Sequence, residues 1–93
     1  MHEPAFRARL AEQGYDGPEL VERTANTHNP EHAHDFDVAL LVLDGELCVS
    51  TAAGITTCRA GDTFELAGGI PHTEQYGPHG ARVLVGRRAA RPT

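Results

Sequence analysis

Two short segments of the sequence carry side chains that could hold a metal ion, and the first contains a pair of histidines. His32 and His34 lie two residues apart, directly before the apolar run of residues 38–43. Side chains of an extended strand alternate between its faces, so both imidazoles project to the same face, about 7 Å apart along the chain. Two imidazole nitrogens on one face can bind the same transition-metal ion. The alternative is that both are solvated loop residues beside Asn29-Pro30.

The second segment places a histidine and a carboxylate after a glycine-rich turn. His72 follows Gly68-Gly69, and Glu74 lies two residues further along the chain. The same alternation puts His72 and Glu74 on one face of a strand. A carboxylate beside a metal-binding histidine is suited to moving a proton.

The N-terminal segment is predicted to form one short helix, over about residues 4–13. Pro4 suits a first helical turn, Gly14 suits the position after the last, and Phe6 and Leu10 share one face. This apolar stripe is narrow, so we expect the helix to lie across the domain without being a core element.

From Glu19 onward, short apolar runs alternate with turn signals, a pattern typical of an antiparallel all-β sandwich or barrel. The clearest hairpin is predicted over residues 46–60, with Ala53-Gly54 as its turn. The turn signals are Asn29-Pro30, Asp44-Gly45, Ala53-Gly54, Ala60-Gly61-Asp62, Gly68-Gly69 and residues 77–80. The expected core residues are Phe36, Leu40, Val42, Phe64 and Leu66.

Cys48 and Cys58 lie five residues on either side of Ala53. In a symmetric hairpin they would face each other across the strands, at a separation that a disulfide tolerates. We nevertheless expect two free thiols, since we expect a cytoplasmic, reducing location. Cys48 is expected to point away from the cavity, because it alternates with Leu47 and Val49.

The first histidine segment resembles the first motif of the cupin superfamily. That motif runs Gly, five residues, His-x-His, three or four residues, Glu, six residues, Gly. The corresponding positions here are Asn26, His32, His34, Val38 and Gly45. The histidines and the last glycine match, but Asn26 replaces the first glycine and Val38 replaces the glutamate.

The second segment resembles the second cupin motif, which runs Gly, five residues, Pro-x-Gly, two residues, His, three residues, Asn. The corresponding positions are Gly61, Ala67, Gly69, His72 and Tyr76. Both glycines and the histidine match, whereas Ala67 and Tyr76 depart from the motif. The two motifs occur in the right order and cover residues 26–76.

This resemblance implies an all-β, cupin-type double-stranded β-helix, or jelly-roll barrel, with a short N-terminal helix. It implies one domain over residues 1–93, with the barrel at about 19–87. It also implies that His32, His34 and His72 bind one divalent transition-metal ion, which could be Fe, Mn, Ni, Cu or Zn. A site of three histidines is similar to that of thiol dioxygenases. The missing motif carboxylate could be replaced by Glu74 or, through a bulge, by Asp37.

The charge balance disfavours some partners. Thirteen acidic residues against eight basic ones give a formal net charge of -5, which disfavours nucleic acid and anionic membranes. Arg87, Arg88 and Arg91 are expected to form a solvated tail. The longest apolar run is too short to span a bilayer, and the N-terminus has no signal-peptide pattern, so we expect a cytoplasmic protein.

Two classes of function fit these observations. One is a metal-dependent enzyme, dioxygenase- or isomerase-like, that acts on a small polar metabolite with Glu74 as its catalytic residue. The other is a non-catalytic module that binds or senses a small molecule. A homodimer is expected because a small barrel leaves sheet edges to cover. His28 is expected either to line the cavity or to be exposed, and His2 and His79 to lie on the surface.

Overall fold

A computed structural model describes residues 1–90, in which one helix precedes six β-strands that pair only in the antiparallel sense. The elements are α1 (Glu3–Glu12), β1 (Asp16–Arg23), β2 (His28–His32), β3 (Phe36–Thr51), β4 (Gly54–Arg59), β5 (Thr63–Leu66) and β6 (His72–Ala89). The strands begin slightly earlier and end slightly later than the predicted 19–87. The all-β jelly-roll class with a short N-terminal helix is confirmed.

Two long strands, β3 and β6, form the centre of the sheet and pair with each other along most of their length. The shorter strands β1 and β2 pair with the other edge of β6, and β4 and β5 pair with the other edge of β3. Side chains from β1, β2, β3, β5 and β6 line one common cavity, so the sheet wraps around an interior. The last residue of β2 and the first residue of β6 meet at one end of this cavity.

Two of the predicted turns are instead a bulge inside the long strands. Gly45 pairs with Ala81 and Leu47 pairs with Tyr76, so residues 77–80 of β6 face Glu46 alone. The backbones approach so closely that a Cβ at Gly45, which has φ 83°, would collide with the carbonyl oxygen of Gly80. The glycine signals were correct, but they mark a bend within paired strands and not a chain reversal.

A second register shift, between Val42 and Asp44, changes which residues of β3 face the interior. Leu40 and Val42 face inward before it, and Leu47 and Val49 face inward after it. The interior cluster that they form also contains Cys58, Tyr76, Ala81 and Val83. Leu40, Val42 and Leu66 are buried as predicted, whereas Phe36 and Phe64 are only partly buried and line the cavity.

The helix lies close to its predicted position, but the expectation that it is not a core element is wrong. Phe6 and Leu10 are 1% and 2% exposed. They form a second core cluster with Tyr15, Ala39, Leu41 and Leu84, on the outer face of the sheet. The physical reason is that residues 39–42 are apolar on both faces, so the outer face also needs a cover.

The hairpin between β3 and β4 differs by one residue from its predicted register. Thr51 pairs with Gly54, so Ala52-Ala53 is the turn. Cys58 therefore lies opposite Leu47, and Cys48 lies opposite Thr57. The expectation that the cysteines face each other is wrong: Cys58 is buried in the interior, whereas Cys48 lies half-buried on the other face and points away from the cavity, as expected. Both thiols are free.

Arg87 and Arg88 are part of β6, so the expectation of a solvated tail is wrong for them, while Arg91 lies outside the described residues. Arg87 faces the cavity and forms an ion pair with Glu19 at 2.7 Å. Arg88 points to the helix side, where its guanidinium lies 4.2 Å from the centre of the Tyr15 ring. Alternation along the strand places these neighbours on opposite faces.

Candidate metal centre

Strand pairing brings the three predicted histidines together at one end of the cavity. His32 ends β2 and pairs with His72, the first residue of β6, while His34 lies in the connection to β3. The ring centroids are 4.3 Å apart for His32 and His72, 4.8 Å for His32 and His34, and 5.2 Å for His34 and His72. One ring nitrogen from each lies within 4.8 Å of the others.

Two of the histidines are oriented by the same local hydrogen bond. The Nδ1 atom of His32 lies 2.8 Å from the carbonyl oxygen of Pro30, and that of His72 lies 3.0 Å from the carbonyl oxygen of Ile70. A carbonyl oxygen only accepts, so Nδ1 carries the proton in both rings. The Nε2 lone pair of each neutral ring is then free to bind a metal ion, as is typical of metal-binding histidines.

The third histidine, His34, is held by its ring. It stacks on Phe36 with a centroid distance of 4.7 Å and an interplanar angle of 16°. Burial, followed by the proximity of His32 and His72, lowers the pKa of His34 from its ordinary value. The neutral imidazole, which is the form that binds metals, is therefore favoured at this position.

The spacing of the triad fits one transition-metal ion. Imidazole nitrogens bind such ions at roughly 2.0–2.1 Å, so two of them on one ion are at most about 4.2 Å apart. The observed limit of 4.8 Å exceeds this by about 0.6 Å, which small side-chain rotations can close. Three neutral nitrogen donors leave the remaining coordination positions for water or a ligand.

Glu74 lies beside the triad, on the same strand face as His72. Its Oε1 atom accepts a hydrogen bond of 2.9 Å from the amide of Asn29 and lies 3.5 Å from Nε2 of His32. The side chain is 20% exposed. Sequence reasoning missed Asn29, which was assigned to a turn, because only the pairing of β2 with β6 places it opposite Glu74.

Asp37 is directed away from the cavity, as expected for a residue one position before Val38. Its carboxylate accepts hydrogen bonds from the backbone N–H of Gly68 at 2.8 Å and from Arg88 at 3.0 Å. Val38 itself lines the cavity as an apolar residue. Of the two carboxylates considered for the missing motif position, only Glu74 lies at the triad.

The cavity beneath the triad has a volume of about 250 Å³. Its walls are mostly aliphatic and aromatic side chains of β1, β3, β5 and β6. Four polar residues line it in addition to the triad and Glu74: Arg23, Asn29, Tyr76 and Arg87. Apolar walls with a few converging polar groups are typical of small-molecule sites.

The other three histidines lie outside the cavity. His28 is exposed, the second of its two predicted placements, and its Nδ1 atom lies 3.1 Å from Oε1 of Gln75. His2 is exposed and caps the helix by accepting a hydrogen bond from the N–H of Ala5, and His79 is exposed. Within residues 1–90, no helix is both long and apolar enough to cross a bilayer.

The sequence matches no family model and no curated protein, but its structure resembles many solved ones. An RmlC-like cupin from Shewanella frigidimarina superposes with a TM-score of 0.66 at 24% identity, covering 77% of this chain and 64% of the other. Drosophila melanogaster CENP-C, solved bound to CAL1, gives 0.67 at 19% identity, covering 74% and 59%. Bacillus subtilis oxalate decarboxylase, with Mn(II) centres, gives 0.67 at 20%, covering 80% and 21%.

These similarities establish the fold: this chain has the fold of a small cupin domain. It spans less than two thirds of the length of each of these three structures. The cupin resemblance read from the two histidine motifs is therefore confirmed at the level of the fold.

Proposed function

We propose that this chain is a metal-binding cupin domain whose cavity binds a small polar metabolite at a divalent transition-metal ion. The observation that carries the proposal is the triad of His32, His34 and His72, in which one ring nitrogen of each histidine lies within 4.8 Å of the others and Nδ1 of two rings is engaged by a backbone carbonyl. Fe, Mn, Ni, Cu and Zn all accept imidazole ligands, so the donor set leaves the ion's identity open. Such an ion supplies Lewis-acid polarisation of a bound oxygen.

The reaction that we favour is a dioxygenase- or isomerase-like conversion of that metabolite. In it, the carboxylate of Glu74 accepts or returns a proton, because it lies within reach of a ligand seated at the triad. The amide of Asn29 donates to one carboxylate oxygen and fixes the side chain. The apolar walls exclude water from the rest of the ligand.

A non-catalytic module that binds or senses a small molecule is the second candidate. The observation that favours it is Val38, an apolar side chain where the cupin motif has a glutamate. The two candidates differ in one measurement. A metal-loaded protein that binds small chelating metabolites by calorimetry but converts none of them is a sensing module.

The metal site is tested by the metal content of matched histidine variants. We expect elemental analysis to find one ion per chain in the wild type and in His28→Ala, whose ring lies outside the triad. His34→Ala and His72→Ala should lose stoichiometric binding while keeping a β-rich circular dichroism spectrum. Unchanged metal content in both triad variants would overturn the proposal.

We also infer that residues 1–93 act as one domain, that two copies associate, and that the location is cytoplasmic. Support for association comes from β4, which pairs with β3 alone among the described strands and carries Ile55 at 74% exposure. An unpaired edge with an exposed apolar side chain favours contact with a second copy.

A further inference from the structure

The hydroxyl group of Tyr76 is a hydrogen-bond donor in the cavity wall that the metal site does not use. Tyr76 is 5% exposed and lines the cavity. Within residues 1–90, its backbone carbonyl accepts a hydrogen bond from the side chain of Gln75, but its hydroxyl forms none. No buried side-chain oxygen or nitrogen of these residues lacks a partner, so the hydroxyl oxygen is open to the cavity and available to a ligand.

Arg23 is the cavity arginine whose charge is not neutralised within the described residues. Arg87, the other arginine lining the cavity, is paired with Glu19, whereas Arg23 donates one hydrogen bond to the backbone carbonyl of Glu22 and forms no ion pair. The remaining N–H groups of its guanidinium are free to bind an acceptor. Arg23 is exposed at the cavity edge, so a ligand entering the cavity passes it.

Tyr76 and Arg23 lie near enough to interact electrostatically. Burial raises the pKa of Tyr76, the Glu74 carboxylate raises it further, and the Arg23 guanidinium opposes both with a lowering effect. The phenol is therefore protonated at neutral pH and available as a donor. Two donors, one of them cationic, then face the same part of the cavity.

We infer that Tyr76 and Arg23 form a second subsite that binds a carboxylate, so that the ligand is a short organic anion with another oxygen group at the triad. The inference rests on the proposed metal site. A divalent ion and the Arg23 guanidinium together carry more positive charge than the Glu74 carboxylate neutralises. The cavity therefore has an excess of positive charge when the ion is bound. An anionic ligand compensates for this excess better than a neutral one.

The cavity volume limits the length of this ligand. About 250 Å³ corresponds to the volume of about eight water molecules at ~30 Å³ each. His72, Glu74 and Tyr76 alternate along β6 and all line the cavity, so Glu74 lies between the triad and Tyr76. A compound of a few carbons with an oxygen group at each end fits this space, and a peptide or sugar chain does not.

The test compares linear dicarboxylates with acetate on the cobalt-loaded protein. Malonate, succinate and glutarate can reach both subsites, whereas acetate reaches one. We expect the best dicarboxylate, followed through the visible spectrum of Co²⁺, to bind at least about tenfold more tightly than acetate. Tyr76→Phe and Arg23→Gln should each remove most of this difference and leave acetate binding and cobalt content unchanged.

Two control variants outside the cavity test whether the loss of preference is specific to the subsite. Tyr15→Phe removes a hydroxyl on the helix side of the sheet, and Arg82→Gln removes an exposed charge outside the cavity. Both should keep the wild-type preference for the dicarboxylate. The inference is overturned if no dicarboxylate binds more tightly than acetate, or if Tyr76→Phe and Arg23→Gln keep the wild-type preference.

A protein that binds no cobalt would overturn the proposed metal site and not the subsite. In that event, an NMR titration of the metal-free protein with succinate decides. Saturable shifts in the wild type that are lost in Tyr76→Phe support the carboxylate subsite, and shifts that are absent or unchanged in the variant overturn it.

Discussion

The fold lowers the affinity of His34 for protons. The pKa of His34 is lower in the folded chain than its ordinary value of about 6.5. At a pH below about 6.5, the unfolded chain therefore binds a proton at His34 more readily than the folded chain does. We expect the free energy of unfolding of the metal-free protein to decrease as the pH falls below about 6.5. Urea denaturation at several pH values between 5 and 8 measures this.

A variant pair assigns this pH dependence to His34. His34→Asn should show a weaker decrease in stability at acidic pH, whereas His79→Asn, a change at an exposed position, should match the wild type. If the free energy of unfolding decreases equally at acidic pH in His34→Asn and in the wild type, His34 does not cause the decrease.

Glu74 is suited to a role in proton transfer more than to metal binding, and a single substitution separates the two. In Glu74→Gln the side chain keeps an oxygen that can accept from Asn29, so the local structure should persist. We expect metal content to be unchanged and, for a substrate that the wild type converts, turnover to fall about 10²-fold or more. Loss of the metal in this variant would identify Glu74 as a fourth ligand.

The histidine triad could be predicted from sequence because the spacing of its residues along the chain determines which strand face they share. His32 and His34 share a face through alternation, and His72 follows a glycine-rich turn in both the motif and the structure. Asn29, Tyr76 and Arg23 could not be found in this way. Their places in the cavity depend on how β1 and β2 pair with β6, which no local pattern specifies.

The hairpin of β3 and β4 determines the chemistry of the two cysteines. Burial raises the pKa of the Cys58 thiol, which disfavours the reactive thiolate, whereas Cys48 is half-buried on the outer face. We expect iodoacetamide to modify Cys48 in the native protein and Cys58 only after denaturation, as read by mass spectrometry. Equal rates of modification at Cys48 and Cys58 would contradict this register. The absence of free thiols in cells lysed in the presence of alkylating agent would also contradict it.

This hairpin also shows why the register was missed. The turn signal Ala53-Gly54 lies one residue from the observed turn, and a shift of one residue moves every side chain of a strand to the other face. The strand and the outward face of Cys48 agree with the prediction, but the inward face of Cys58 depends on the position of the turn.

Asp37 and Arg88 connect the sheet to the helix. Arg88 bonds to Asp37, donates to the carbonyl of Gln13 at 2.6 Å, and lies over the Tyr15 ring. Asp37→Asn removes the charge from this largely buried pair, so we expect a loss of about 1–3 kcal/mol in the free energy of unfolding. Chemical denaturation measures the loss. Metal content should be unchanged, and its loss would restore Asp37 as a candidate ligand.

At the scale of the whole domain, residues 1–90 form two separate cores on the two faces of one sheet. One lies between the wrapped strands around the cavity, and the other lies under the helix. The sequence predicts the all-β class from its regular turns, but it does not distinguish a bulge from a turn at Asp44-Gly45, because glycine permits both.

At the scale of the assembly, we expect light scattering at tens of micromolar to give twice the mass of the chain. Ile55 lies on the edge strand β4 and is the described large apolar residue with the greatest exposure. Ile55→Lys should favour the monomer, whereas Arg7→Lys, a change on the helix, should leave the mass unchanged. A wild-type mass of one chain would contradict the dimer.

The bulged region of β3 and β6, over residues 43–45 and 77–80, has a practical consequence for redesigning the cavity. A library that alternates positions along β3 without a break would change Leu40 and Val42 inside but Cys48 and Ser50 outside, because the inward face of β3 switches from even to odd numbers at the register shift between Val42 and Asp44. On β6 the inward face also switches, across residues 77–80, from the even-numbered Tyr76 to the odd-numbered Val83. Directed evolution of ligand preference should therefore choose its positions in two blocks, one on each side of the bulge, and leave Gly45 and Gly80 fixed.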